Sequence, residues 1–244
     1  MKIDIAGVLV DNITNSESVK KIDEFVMSGR PHYIVTPYSE MIVFAQNDPR
    51  YRDILNHAAL SLPDGIGILR AAKYLGSEIR ERVTGRKLIY DIAKLSEAKG
   101  YSIAMVGGHD NVAQLAAAAL KKQFPNLKIN LAISDRPFDD KILAEINDSK
   151  SDILLIGYSP PKQEIWLAQN ISKLGVKVGI GLGGTFDYLA GKRFTPPNLV
   201  HYMGLEWLWR LVTQPWRIGR MWNAVPVFIW TVYKYKINHE RNTN

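Results

Sequence analysis

Apolar and polar positions alternate along this chain between two periods. Ile3 to Val10 is β-branched and apolar and predicts a strand, closed by the turn signal Asp11-Asn12. Thr14-Asn15-Ser16-Glu17 has capping-box spacing and predicts a helix to about Met27, ended by Gly29. His32 to Thr36 reads as a buried strand, followed by Pro37-Tyr38-Ser39-Glu40 and a helix to about Gln46, with a short helix restarting at Pro49. Ala59 to Leu62 delivers a strand end that breaks into Pro63-Asp64-Gly65 before a helix to about Tyr74. After the charged loop Ser77 to Arg82 comes a helix to about Ala98. Strands are then predicted at Tyr101–Val106, Leu127–Ile133, Asp152–Ile156 and Val176–Leu182. They alternate with helices to about Phe124, at Lys141–Ile146, Pro160–Ala168 and Thr185–Ala190. Strands and helices at βαβ spacing predict an α/β, Rossmann-like fold, a mostly parallel sheet with helices on both faces.

Near Phe194-Thr195-Pro196-Pro197 the composition changes, which divides the chain into an α/β domain, 1–195, and an appendage, 196–244. Of the net charge of +7, six units lie from Lys192 onward, where eight basic residues face only Glu206 and Glu240. Five of the six tryptophans, Trp207, Trp209, Trp216, Trp222 and Trp230, lie there too. Aromatics with Arg and Lys at amphipathic spacing suit a helix lying in a membrane interface. Docking of the aromatics on the core, or stacking on nucleic acid, are the competing explanations. No apolar run reaches the roughly 18 to 20 residues of a spanning helix. The N-terminus does not have the form of a secretory signal, so the protein is expected to stay inside the cell. The absence of cysteine excludes disulfide, zinc-thiolate and cysteine-nucleophile chemistry.

In an open α/β sheet ligands gather beyond the carboxyl ends of the strands, which places Asp64 where a catalytic base would sit. Capping of the following helix is the alternative for the same carboxylate. Two strand-to-helix junctions, Val106-Gly107-Gly108-His109-Asp110 and Gly179-Ile180-Gly181-Leu182-Gly183-Gly184-Thr185, are glycine-rich and offer backbone N–H groups to a phosphate; close helix packing is the competing use. A dinucleotide site is disfavoured at the second, because no long βαβ unit with an acidic ribose partner follows. Gln163 and Glu164 fall in the first turn of a helix near the rim that holds Asp64. An amide there can donate to a leaving-group oxygen, whereas a first-turn Glu ordinarily compensates the helix dipole. Arg210, Arg217 and Arg220 repeat at helical spacing; solvated surface arginines are the usual explanation, and a forked guanidinium group is also what matches a pyrophosphate. With no Asp-x-Asp pair and no histidine cluster, neither a metal nor another cofactor is expected, and cationic side chains would stabilise a phosphorylated leaving group.

Together Leu62-Pro63-Asp64-Gly65, Arg82-Val83-Thr84-Gly85, Pro161-Lys162-Gln163-Glu164, Gly183-Gly184-Thr185-Phe186-Asp187 and Gly204-Leu205-Glu206-Trp207-Leu208-Trp209-Arg210 resemble the WecG/TagA/CpsF glycosyltransferase family. The resemblance implies metal-independent, inverting transfer of an N-acetylhexosamine, N-acetylmannosamine above all, from a UDP-sugar. The acceptor would be an undecaprenyl-diphosphate-linked GlcNAc at the inner face of the cell membrane, in wall teichoic acid or surface polysaccharide synthesis. It implies Asp64 and Gln163 as catalytic residues, and Thr36, Tyr38, Arg82, Asp187, Arg210, Arg217 and Arg220 as substrate-binding, to which the glycine-rich turns add Gly107 and Gly184. Tyr38 stands where the family has an asparagine, Lys87 where it has an aspartate, and Arg136-Pro137-Phe138 where it has Gly-Tyr-Phe. A peripheral membrane location and a homo-oligomer fit this reading, and nucleic acid does not. The rival reading is a non-catalytic, membrane-associated nucleotide-binding module.

Overall fold

The computed structural model describes residues 1–134, 139–193, 206–213 and 218–243. The apolar run at the start is not one strand but a hairpin, β1 (Lys2–Ile5) and β2 (Val8–Asp11), paired antiparallel as a separate two-stranded sheet. Its turn is Ala6-Gly7, with φ of 52° and 87°, and the Asp4 carboxylate accepts from the Gly7 N–H at 2.6 Å. Two successive positive φ values match the twist of a two-residue hairpin, and an alanine in that role is what the apolar pattern concealed. The capping box is formed as expected: Thr14 and Glu17 exchange bonds at the start of α1 (Asn15–Met27).

The main sheet has six strands: β3 (His32–Val35), β4 (Leu60–Ser61), β5 (Ser102–Gly107), β6 (Lys128–Ile133), β7 (Ile153–Gly157) and β8 (Val178–Gly181). They lie in the order β4-β3-β8-β7-β5-β6, every neighbouring pair parallel. β5 and β8 are buried along their whole length, as β7 is up to Gly157, which is why they read as unbroken apolar runs, whereas edge strand β6 carries exposed Lys128 and Asn130.

Helices cover both faces. On one, α1, α5 (Gly85–Lys99), α6 (Val112–Gln123) and α9 (Thr185–Leu189) share a core with Ile34, Met105, Leu155 and Ile180. On the other, α7 (Asp140–Asp148) and α8 (Lys162–Asn170) pack on Ala104, Val106, Leu154 and Ile156. Neighbouring strands β5 and β7 thus lead into helices on opposite faces. Their connections diverge, and a crevice opens at the carboxyl ends of the sheet.

A further apolar cluster joins the hairpin to α2 (Ser39–Asn47), α3 (Pro49–Asn56) and α4 (Ile66–Tyr74). The appendage completes it. Beyond α10 (Glu206–Thr213) and α11 (Ile218–Trp222), a π-helical turn, Asn223–Val227, widens around Pro226 before α12 (Phe228–Thr243). Proline has no N–H to give to the ladder, which accounts for the irregular turn there. Phe228 and Val232, each 4% exposed, close over the cluster formed by Met41, Ile42, Ile68 and Ala71. The expected domain boundary falls in 194–205, outside the described residues.

Candidate functional site

A cleft of about 1040 Å³ opens at the carboxyl ends of the parallel strands. Its walls come from the loops after β3, β4, β5, β7 and β8 and from the appendage between Arg220 and Tyr233. One half is polar. The other is lined by Ile66, Ala71, Val225, Phe228, Ile229 and Val232.

The Pro63-Asp64-Gly65 turn is stitched to its neighbours by backbone bonds. Leu62 N–H donates to Val35, Asp64 N–H to Pro37, and Val83 N–H to Pro63, at 2.8, 3.0 and 2.9 Å. Gly65, at φ 104°, starts α4 with no side-chain cap, so Asp64 does not cap that helix. Its carboxylate instead faces the amino end of α5. Oδ2 lies 3.4 Å from the Gly85 N–H and Oδ1 lies 3.8 Å from the Arg82 guanidinium, with both side chains partly exposed to the cleft.

Gln163 lines the same cleft but is 2% exposed. Its Nε2 donates to Glu164 at 2.6 Å and its Oε1 accepts from Gly183 N–H at 3.2 Å. The amide therefore braces the glycine loop after β8 instead of standing open to a ligand. A Cβ on Gly181 would lie 2.9 Å from Gln163 Nε2, so this packing needs glycine there.

Glu164 stands in the first turn of α8, where the sequence reading made it a compensator of the helix dipole, but it does more than that. It is wholly buried, accepts a second bond from the Tyr51 hydroxyl at 3.2 Å, and burial pushes its carboxyl up to about 7. The native state thus holds a proton on Glu164 that the unfolded chain releases near 4.5, so stability falls as pH rises between those values and is level above about 7. The expected fall is on the order of 3 kcal/mol. Urea unfolding at pH 5 and pH 8 should show it in the native chain and lose most of it in Glu164→Gln; an equal fall in both assigns it to another group.

Of the remaining expected residues, Thr36 donates to the Gly181 carbonyl at 2.9 Å at the cleft floor. Gly184 and Asp187 line the cleft, with Asp187 paired to Arg193 at 3.1 Å. A Cβ on Gly184 would lie 2.6 Å from Arg193 Nη1, so glycine there admits the guanidinium. Gly107 is not among the residues that line the cleft. It lies against the Gly157 backbone, 2.8 Å from a would-be Cβ, and its neighbour Gly108 reaches the cleft instead. Lys87 pairs with Glu81 on the surface, away from the lining. Arg217 and Arg136-Pro137-Phe138 lie outside the described residues, as does the side chain of Arg210.

Arg220 does enter the cleft. It meets Glu40 at 2.8 Å and the Tyr38 hydroxyl at 3.2 Å, while Tyr38 itself donates to Glu40 at 3.1 Å. Burial and the nearby Glu40 carboxylate push the Tyr38 hydroxyl well above the usual phenol range, so it stays protonated. The hydrogen bonds it donates to Glu40 likewise hold the Arg220 guanidinium above its usual range.

Sequence reasoning missed Glu40, Tyr51, Arg86 and Arg193. Glu40 and Tyr51 looked like ordinary helical positions, and Arg193 was only one of a run of tail cations. Arg86, which stacks 5.1 Å over the Tyr188 ring, directly follows the Arg82-Val83-Thr84-Gly85 motif and was the most findable. With Arg70, Arg82, Arg193 and Arg220 it makes five guanidinium groups lining the cleft among the described residues. The appendage exposes Ile218, Trp222, Ile229 and Trp230, each by more than half, the last two at the cleft. Among the described residues no helix is long and apolar enough to cross a membrane.

The chain is similar to known proteins along nearly its whole length. An N-acetylglucosaminyldiphosphoundecaprenol N-acetyl-beta-D-mannosaminyltransferase of Staphylococcus aureus (strain MRSA252) is 27% identical over 238 residues, covering 96% of this chain and 93% of the relative. The protein of the same name from strain NCTC 8325 / PS 47 is 26% identical over the same shares. The family model for the glycosyl transferase WecG/TagA/CpsF family matches residues 3–242. A match that leaves neither the sheet nor the appendage outside it settles the assignment: the chain belongs to the WecG/TagA/CpsF family of glycosyl transferases.

Proposed function

We propose that this protein transfers an N-acetylhexosamine, N-acetylmannosamine in the first instance, from a UDP-sugar to an undecaprenyl-diphosphate-linked GlcNAc. The names of the relatives support that sugar and that acceptor. The observation that carries the reading is the pairing of Asp64 with guanidinium groups across one strand-end cleft. A carboxylate within reach of an acceptor hydroxyl can take its proton as the oxygen attacks the anomeric carbon. The C–O bond to the UDP pyrophosphate breaks on the opposite face, which inverts the anomeric centre. Charge then develops on the departing pyrophosphate, where Arg86, Arg193 and Arg220, at the glycine turn that holds Gly184, can meet it without a metal. Arg70, exposed on α4 beside the apolar half of the cleft, lies where the diphosphate and chain of a prenyl lipid could continue from the acceptor sugar. The exposed aromatics of the appendage suit contact with the bilayer that carries such a lipid.

The test is transfer from UDP-N-acetylmannosamine, with UDP-N-acetylglucosamine as comparator, to a GlcNAc-diphosphoprenol in the presence of chelator. The expected product carries a β-linked N-acetylmannosamine by NMR. A protein that binds UDP yet turns over no UDP-hexosamine is a nucleotide-binding module and not a transferase.

A further inference from the structure

Arg220 reaches the cleft from the appendage, 180 residues beyond its partner in sequence, and its guanidinium is held from one side only. Nε donates to both carboxylate oxygens of Glu40, at 3.0 and 3.2 Å, and Nη2 donates to Oε2 at 2.8 Å and to the Tyr38 hydroxyl at 3.2 Å. Nη1 has no hydrogen-bond partner among the described residues, although Arg220 lines the cleft and its side chain is 34% exposed. Glu40 is the reverse, a carboxylate only 3% exposed on the first turn of α2. A buried carboxylate is tolerated when it is paired and its lone pairs are satisfied. Here Arg220 and Tyr38 satisfy them.

We propose that Glu40, assisted by Tyr38, is a positioning residue that seats Arg220 in the cleft, fixing Nε and Nη2 so that Nη1 remains to donate to a phosphate oxygen of the substrate. The inference rests on the transferase reading. An arginine on a separate helix would otherwise carry several rotatable bonds into the reaction. A two-point grip removes that freedom before the substrate arrives, which is the condition for a donor to act on charge that develops only in the transition state. The grip also sets a register: the appendage is placed against the cleft by an ion pair at one end and by Phe228 on the apolar cluster at the other. Tyr38 takes part through its hydroxyl, a reach that the shorter asparagine of the family pattern does not have.

The test compares Glu40→Gln, Tyr38→Phe, Arg220→Met and the paired change Glu40→Met/Arg220→Met in the full chain. Glu40→Gln keeps the shape and loses the charge. It should lower kcat about a hundredfold with donor KM changed less than about threefold, since only a transition-state interaction is lost. Tyr38→Phe should lower kcat about tenfold. The paired change leaves no charge buried alone and so keeps a folded protein if Glu40→Gln does not; its kcat should match that of Arg220→Met, because the two residues act as a unit. Wild-type turnover in Glu40→Gln, or a paired variant whose loss is the product of the single losses, overturns the proposal. Amide exchange of residues 218–222 reads the seat without catalysis. Exchange at least about tenfold faster in Glu40→Gln, with α5 unchanged, upholds it, and unchanged exchange overturns it. If the wild-type chain transfers nothing, the assigned reaction fails and the exchange measurement alone decides the seat.

Discussion

Asp64→Asn lowers sugar transfer by about a thousandfold, within the range that a positioned general base supplies, while UDP binds nearly as in the native chain. The asparagine amide keeps the size and one acceptor oxygen of the carboxylate, so the Gly85 N–H retains a partner and the Pro63-Asp64-Gly65 turn keeps its backbone bonds. What it loses is the ability to hold the proton of the acceptor hydroxyl. The loss should therefore appear in kcat and kcat/KM together, with donor affinity little altered. The measurement is steady-state transfer in parallel with UDP titration calorimetry. Native-like turnover by Asp64→Asn removes Asp64 from the role of base. Loss of UDP binding with turnover would instead place its carboxylate in the donor subsite, through the Arg82 group 3.8 Å away.

The sheet and much of its rim were legible because their signals are local. β5, β7 and β8 announce themselves as apolar runs ending in glycine, and a glycine after a strand marks where the chain must turn into the cleft. Asp64 was legible as a carboxylate, but its choice between helix cap and cleft was not. That depends on Gly65 taking φ 104° and starting α4 itself, so that the carboxylate faces α5. The hairpin at Ala6-Gly7 was hidden because alanine rarely adopts a positive φ and gives no turn signal. Glu40 and Glu164 were hidden for a different reason. A first-turn glutamate reads as dipole compensation, and only long-range partners, Arg220 for one and Tyr51 for the other, show that each is buried. Gln163 was picked out as an amide that could donate to a leaving-group oxygen; that its Oε1 is held by the Gly183 N–H on another strand end is a property of the sheet order.

Removing residues 196–244 abolishes transfer, and the reason is divided between the cleft and the core. The cleft loses Arg220, and one donor aimed at developing charge accounts for a hundredfold to a thousandfold, roughly. The core loses Phe228 and Val232, each 4% exposed, whose burial stabilises by about 1.5 to 3 kcal/mol apiece. Their absence uncovers the apolar cluster of Met41, Ile42, Ile68 and Ala71 and leaves Glu40 without its guanidinium partner, so the shortened chain should also melt lower and self-associate. Glu40→Met/Arg220→Met separates these contributions, since it keeps the cover and removes only the ion pair. It should bind anionic vesicles as the native chain does, through exposed Ile218, Trp222, Ile229 and Trp230, and still transfer about a hundredfold more slowly. The shortened chain should lose vesicle binding and transfer together. Transfer retained after removal of the appendage refutes a site completed from the tail, because every substrate-facing group would then lie within the α/β domain, among Asp64, Arg82, Arg86 and Arg193.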